Sequence, residues 1–302
     1  MGFLDEDTKG FVVSLDLLIA IIPITIILGM VTADMGNIMY ELEDTVFRGS
    51  IDRVAADTMN TLLETSGTPP KWEKTGNLSV VGLAKYDTSK NASMEGTISP
   101  TKLAFLVNNP SYVQDLIGND YGFSMSITDI STNSSMGSIG TYNSSANDIV
   151  RVDKVVLCSR LETVSELKGE IRYTGQSRNY IAPPFETSYL YNQSYDYYIL
   201  FVNTGSASAN SATVKINSGS IFLNSSTIYN ANLINNTFLI TNSSNPNQFL
   251  SNNVEVNITS STFGNSMDFY IVQVPKGTPA SYVNYNNVVP KKCKFVLYLW
   301  PK

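Results

Sequence analysis

Histidine is absent from this sequence, and cysteine occurs only twice, at Cys158 and Cys293. Without histidine the chain cannot form a Ser-His-Asp or Cys-His nucleophile arrangement or a histidine-ligated metal site. Two cysteines are also too few for a four-cysteine zinc site. The sequence contains no phosphate-binding loop, dinucleotide fingerprint or paired-carboxylate motif. We therefore expect no enzymatic activity, no metal and no cofactor.

Charged residues are scarce as well, at 15% of the 302 residues, against roughly 25% in typical soluble domains. Uncharged polar residues replace them: the chain has 30 Asn, 35 Ser and 26 Thr. This composition favours a polar surface rich in strands and loops, as on many extracellular domains. The net charge is −6 and no sizeable basic cluster occurs, so we expect no nucleic-acid partner.

The longest apolar run, FVVSLDLLIAIIPITIILGMVTA, covers residues 11–33 and contains a single charge, Asp16. A helix of this length rises about 1.5 Å per residue, which is enough to cross a bilayer core of about 30 Å. Core helices of soluble proteins are rarely apolar all round over such a length. The run therefore predicts a transmembrane helix.

The ten residues ahead of this run, MGFLDEDTKG, are acidic and end in Lys9-Gly10 directly before Phe11. An ordinary secretory signal instead begins with a basic segment. The junction resembles the class III signal peptide of type IV pilin-like proteins, particularly the archaeal ones. In that family a membrane peptidase cuts after the glycine, and the apolar stretch stays on the mature protein. The resemblance implies a leader at 1–10 and a mature N-terminus at Phe11.

Asp16 lies inside the apolar run, where a carboxylate is costly and usually has a partner or a function. It is the sixth mature residue, whereas the family often has its acidic residue at the fifth, which here is Leu15. One interpretation is that the α-ammonium of Phe11 in a neighbouring subunit neutralises Asp16 during filament assembly. The alternative is that Asp16 lies near the membrane face and is hydrated.

Two other fates of the N-terminus remain open. Val31-Thr32-Ala33 fits the small-residue pattern that precedes a signal-peptidase cut, and cleavage there would leave a secreted domain starting at Asp34. The apolar segment could also remain as an uncleaved anchor. The acidic start of the chain argues against the signal-peptidase cut.

Beyond Ala33 the sequence becomes amphipathic, which predicts that the helix continues over 34–66. Gly67 and the Pro69-Pro70 pair end it. With Trp72 and Glu73 these residues resemble the junction between helix and head in archaeal pilin-like proteins. We expect Trp72 to cap the core of the head.

The remainder predicts a head of mostly antiparallel strands, so the fold class is α+β. The head is either one mixed unit or, as we favour, a pilin-like α+β part at 75–175 and a β-rich part at 188–302, with a β insertion at 188–275 closed by the last strand. Helices are expected at Thr101–Val107 and Ser111–Ile117. Residues 162–187 are left unassigned, and the chain from Ser188 onwards is expected to be wholly β. Residues 131–148 are expected to form a surface loop. The predicted strands are Leu78–Tyr86, Gly122–Asp129, Val150–Leu161, Tyr195–Asn203, Ser211–Ile216, Phe238–Thr241, Val254–Thr259, Met267–Val274 and Phe295–Trp300.

Three features of the head are candidates for modification or binding. Cys158 and Cys293 can form one disulfide outside the cytoplasm, or they can be two separate buried thiols. A tyrosine cluster at residues 189–198 predicts either strand packing or a carbohydrate- or partner-binding face. The sequence also has nine N-glycosylation sequons, at Asn77, Asn91, Asn133, Asn143, Asn192, Asn224, Asn235, Asn242 and Asn257.

These observations predict a type IV pilin-like surface subunit or minor pilin whose head is exposed for adhesion or contact. The resemblance implies as partners the membrane, a prepilin-type peptidase, a pilus assembly platform with its motor, and other pilin-like subunits. The protein would be single-pass in the membrane before assembly, with its head outside the cytoplasm. The alternative is a permanently anchored, N-glycosylated surface protein that never polymerises. A secreted hydrolase is disfavoured because no paired-acid motif is present.

Overall fold

The computed structural model describes residues 4–88, 90–172, 177–204, 211–259 and 266–302. The chain divides into two compact units, Met1–Val54 and Ala55–Lys302. The first consists of helix, and the second combines mostly antiparallel sheets with short helices. An α+β class with a long N-terminal helix is confirmed at this level.

Helix α1, Leu4–Glu64, has 61 residues and contains Pro23. It ends two residues before the predicted limit of the amphipathic segment. In its last turns Ala55, Met59 and Leu62 are fully buried. Their spacing of four and three residues places them on one face of the helix, and this face joins the core of the second unit.

The chain leaves α1 through a tight junction at residues 65–76. Gly67 has a φ of +81°, and a Cβ there would lie 2.6 Å from both Trp72 Nε1 and the Val80 carbonyl oxygen, so only glycine fits. Trp72 opens the short helix α2, Trp72–Thr75, and is fully buried. Its indole N–H donates to the carbonyls of Ser66 and Gly82, at 3.1 and 3.2 Å. The predicted core role of Trp72 is confirmed.

A six-stranded sheet follows, in the order β1-β2-β5-β14-β3-β4. Only the β2–β5 pair is parallel. Helices α3, Pro100–Asn108, and α4, Ser111–Ile117, contact β4 and β3, and both match their predictions closely. The strands are β1 (Ala84–Asp87), β2 (Ala92–Ile98), β3 (Tyr121–Asp129), β4 (Ser135–Gly140), β5 (Val150–Cys158) and β14 (Lys291–Pro301).

Two four-stranded antiparallel sheets form a β-sandwich, ordered β10-β9-β12-β7 and β11-β8-β13-β6. Apolar residues from both inner faces make one core, including Phe201, Val214 and Phe269. A second cluster, including Tyr270 and Val283, covers the outer face of the β13-containing sheet. The strands are β6 (Glu162–Arg172), β7 (Arg178–Thr187), β8 (Tyr195–Asn203), β9 (Ser211–Ile216), β10 (Gly219–Asn224), β11 (Asn232–Leu233), β12 (Leu250–Thr259) and β13 (Ser266–Pro275).

The sandwich is inserted between β5 and β14, so the last strand returns to the first sheet. The sheets do not divide at the expected boundary between 175 and 188, because β6 already pairs with β13. Strands β6 and β7 both lie within 162–187, which the sequence pattern left unassigned.

Three local predictions were wrong. Residues 135–140 form β4 although they lie in the predicted loop, because an edge strand needs only one hydrogen-bonded neighbour, here β3. Helices α5, Tyr189–Ser194, and α6, Tyr285–Val288, interrupt a region predicted to be wholly β. Phe238 ends a 3₁₀ turn at 236–238 instead of starting a strand. Its ring lies so close to Gly219 that a Cβ there would come within 2.2 Å of it.

Asp129, at the end of β3, gives a pH-dependent contribution to stability. It is buried and accepts hydrogen bonds from the backbone N–H and hydroxyl of Ser131, at 2.8 and 2.7 Å. These bonds hold its pKa at about 2, below the ordinary 3.8. Its contribution is therefore complete above about pH 4 and is lost as the pH falls towards 2.

We expect the difference in free energy of unfolding between the wild type and Asp129→Asn to be largest above pH 4 and to shrink towards pH 2. Chemical denaturation of the full chain in detergent, repeated across this range, measures it. Asp115→Asn, at an exposed carboxylate on α4, is the matched control. A difference for Asp129→Asn that stays constant with pH would contradict this account.

Candidate functional site

The first candidate is the apolar part of α1. One segment among the described residues, Ile19–Met39, is long and apolar enough to cross a membrane, with a mean hydropathy of 2.0 over 21 residues, and none of it is buried. Its large apolar side chains, such as Ile24 and Leu28, are 47–63% exposed. A soluble monomer rarely leaves so much contiguous apolar surface in water. Such a surface is typical of segments that lipid or protein covers.

The predicted processing and assembly residues lie just before this segment. The backbone of Lys9, Gly10, Phe11 and Asp16 is part of α1. Their side chains lie outside the described part of the structure. Cleavage after Gly10 and the pairing of Asp16 therefore stay predictions.

The expected disulfide is not formed in the structure: Cys158 and Cys293 are free, buried thiols. They lie on neighbouring strands, but Cys293 is opposite Val156 and Cys158 is opposite Lys291. Diagonal neighbours across a ladder have Cα atoms about 7–8 Å apart, and an unstrained disulfide needs less than about 7 Å. Burial raises the pKa of Cys158 to about 12, so its thiol stays protonated and unreactive.

The nine sequons differ in accessibility. Six of their asparagines are exposed and two, Asn242 and Asn257, are half-buried. Asn192 lies in α5 and is only 7% exposed, so it is the least accessible of the nine. The exposed ones are Asn77, Asn91, Asn133, Asn143, Asn224 and Asn235.

The second candidate is a polar cleft inside the second unit, where the six-stranded sheet meets the β-sandwich. It consists of two adjoining cavities of about 190 and 350 Å³. Helix α2 and the start of α3 line one side, and β6, β13 and α5 line the other. Both cavities share the residues Glu73, Thr101, Glu162, Tyr191 and Gln273.

Lys102 forms the floor of the smaller cavity and is 1% exposed. Its ammonium donates to the carbonyl oxygens of Ser66, Pro70 and Ala84, at 2.7, 2.8 and 3.0 Å. Burial lowers the pKa of Lys102 to about 8, and the negative charge of Glu73 opposes this shift. All three hydrogens of the ammonium are used within the protein, so Lys102 has none left for a ligand.

Glu162 is a fixed anion in the wall of the cleft. One of its oxygens accepts hydrogen bonds from the hydroxyls of Ser99 and Thr101, at 2.9 and 3.2 Å. The other lies 3.1 Å from the ammonium of Lys85. Burial alone would raise the pKa of Glu162. The charge of Lys85 and the hydrogen bonds from the two hydroxyls lower that pKa by more than burial raises it, so the net shift is downward. With both oxygens occupied, Glu162 is not available as a base or nucleophile.

Glu73 and Gln273 differ from Lys102 and Glu162, because each has one polar atom without a hydrogen-bond partner over the residues that the structure describes. Oε2 of Glu73 and Nε2 of Gln273 are buried and have no hydrogen-bond partner within the described ranges. Desolvation raises the pKa of Glu73, and the charge of Lys102 opposes that effect. Gln273 is 3% exposed and pairs with Glu162 across the β6–β13 ladder.

Aromatic side chains line the cleft on both sides. Tyr191 stacks on Tyr195 with ring centroids 4.6 Å apart, and Phe105 lines the same larger cavity. The ammonium of Lys74 lies 4.9 Å from the ring centroid of Phe249, a cation–π distance. The predicted tyrosine cluster therefore has two parts. Tyr191 and Tyr195 line the cleft, whereas Tyr197 and Tyr198 pack in the two hydrophobic cores.

The cleft was not predicted from the sequence. Its one local signal is Gln273, which follows Met267, Phe269 and Ile271 at the alternate positions of β13, where an apolar residue would continue the pattern. The arrangement suits binding more than proton transfer, because Lys102 and Glu162 are occupied within the protein, while Glu73 and Gln273 each have one buried polar atom that is unpaired among the described residues. Over the described residues no group of three or more metal-ligating side chains occurs.

We expect Lys102→Met to lower the free energy of unfolding by about 2–4 kcal/mol, because three buried carbonyls lose a charged donor. Thermal and chemical denaturation of the full chain in detergent measure the loss. Lys154→Met is the matched control, since Lys154 is half exposed and contacts Asn60 and Glu64. Equal effects of the two substitutions would contradict the role assigned to Lys102.

Comparison with known proteins identifies no relative: no family model, no curated protein and no solved structure matches this chain.

Proposed function

We propose that this protein is a type IV pilin-like subunit, inserted in the membrane as a precursor and processed after Gly10. The observation that carries the proposal is the continuous helix α1, which is apolar and exposed over Ile19–Met39 and buried on one face at Ala55–Leu62. The buried end belongs to the head. The exposed part is suited first to lipid and then to packing against copies of itself.

The N-terminal sequence supports the processing step. Lys9-Gly10 precedes the apolar run directly, and the resemblance to class III signal peptides implies that a prepilin-type peptidase removes residues 1–10. Assembly machinery would then move the apolar helix from the bilayer into a helical filament. The head would lie outside the cytoplasm, where six sequons are exposed for modification.

Asp16 has a specific part in this proposal. In a filament the freed α-ammonium of Phe11 from one subunit pairs with the carboxylate of Asp16 in the next. Two opposite charges in a low-dielectric bundle attract strongly, whereas either alone is costly. The pair would therefore set the axial register of the subunits.

We expect Gly10→Val to abolish maturation and surface filaments, because a branched side chain replaces the residue at the cut. N-terminal sequencing of the wild type should give Phe-Val-Val-Ser-Leu-Asp. Gly2→Val, a matched change within the leader, should leave processing intact. An intact Met1 in the wild type would support the non-polymerising anchor, and a start at Asp34 would support a secreted protein.

Asp16→Ala should impair filament assembly while leaving cleavage after Gly10 unchanged. Immunoblots of the mature chain and electron microscopy of sheared surface filaments report the two steps separately. Asp34→Ala, beyond the apolar run, is the control and should assemble normally. Filaments of normal number and length in Asp16→Ala would reject the pairing.

A further inference from the structure

The cleft between the six-stranded sheet and the β-sandwich contains a buried donor and a buried acceptor without partners. Nε2 of Gln273 has no acceptor and Oε2 of Glu73 has no donor in the part of the chain that the structure describes. Buried polar groups in native proteins are nearly always paired, and an exception needs an explanation. Both residues line both cavities, and the two unpaired atoms themselves have almost no accessible surface, so a bound molecule reaches them once the side chains turn towards the cavity.

The pair selects the chemistry of the bound group. An amide N–H needs an acceptor, and a carboxylate oxygen needs a donor. A hydroxyl supplies both functions. An ammonium group only donates, and a carboxylate or phosphate group only accepts.

The other charges of the cleft disfavour an ionic ligand. Lys102 is held by three carbonyls, Lys85 by Glu162 and Lys71 by Glu186. Two further cations line the cavities: Lys74 lies over the ring of Phe249, and Arg160 donates to the hydroxyl of Ser134. All five groups make contacts within the protein and repel a ligand cation, while the carboxylates of Glu73, Glu162 and Glu186 repel an anion. A neutral, hydroxyl-bearing ligand meets neither penalty.

The shape of the larger cavity adds an apolar requirement. Tyr191, Tyr195 and Phe105 line it, and its volume of about 350 Å³ lies at the small end of the ~300–1,000 Å³ range of ligand pockets. A sugar ring has hydroxyls at its edge and C–H groups on its face. A sugar can therefore bind both unpaired polar atoms with its hydroxyls and, at the same time, pack its C–H groups against these aromatic side chains.

We propose that this cleft is a carbohydrate-binding site that takes one neutral sugar ring, with a hydroxyl bridging Gln273 Nε2 and Glu73 Oε2. The C–H groups of the ring pack against Tyr195 and Phe105, which both line the larger cavity. This activity is independent of polymerisation, because every residue involved belongs to the second unit, Ala55–Lys302.

The test uses the full chain in lipid nanodiscs, which avoids detergents with sugar headgroups. Saturation-transfer NMR is recorded with D-glucose, D-galactose, D-mannose and N-acetyl-D-glucosamine separately, and the best binder is titrated. We expect at least one to bind, and we expect Gln273→Met to weaken it at least tenfold. Glu73→Met, which removes the acceptor at similar length, should have the same effect.

Gln248→Met is the control, because Gln248 is exposed and lines neither cavity. Circular dichroism melting shows whether each variant is folded. Gln273→Met should melt no lower than the wild type, since it removes an unpaired buried donor. A melting temperature well below that of Gln248→Met would mean that the amide has a structural partner, and the proposal would fail.

Three other results would overturn the proposal. The first is that none of the four sugars binds the wild type, which would leave an ordinary buried water as the bridge. The second is that a sugar binds but the folded variants Gln273→Met and Glu73→Met retain its affinity. The third is that choline or acetate binds in place of the sugars and loses affinity in both variants, which would show that the cleft selects charge.

Discussion

The ammonium of Lys102 is the interaction on which the rest of the second unit depends. It donates to three carbonyls from segments that are separate in sequence: Ser66 just after α1, Pro70 in the proline pair and Ala84 at the start of β1. A single buried cation therefore ties the junction at residues 65–76 to the first strand of the six-stranded sheet.

This junction also determines the cleft. Ser99 caps α3 and its hydroxyl donates to Glu162 on β6, while Lys85 on β1 approaches the same carboxylate. The six-stranded sheet and the sandwich are thus joined by a short ionic and hydroxyl network. Glu73 and Gln273 line the same cleft as this network. Oε2 of Glu73 and Nε2 of Gln273 are not hydrogen-bonded to it.

The sequence predicted those elements whose signals are local. Ser99-Pro100 and Asn109-Pro110 delimit the two helices of the head, and strict alternation identifies β3. The apolar run at 11–33 predicts by length alone a helix that could cross a membrane, and the candidate among the described residues is Ile19–Met39. Local patterns fail where tertiary contacts determine the conformation of the chain. Phe238 is an example, because its ring packs directly against Gly219. The cleft belongs to this second class, because Glu73, Glu162 and Gln273 meet only after both sheets have formed.

Strand β14 lies at the middle of the six-stranded sheet, between β5 and β3. Its partner β3 precedes it by the whole length of the sandwich, so this pairing has a high contact order and forms slowly. The facing edges of β3 and β5 lack a partner until residues 291–301 arrive. The inserted sandwich, whose strands are nearer neighbours, can fold first and bring the two ends of its host sheet together. Docking of the last eleven residues of strand is then the step that completes the second unit.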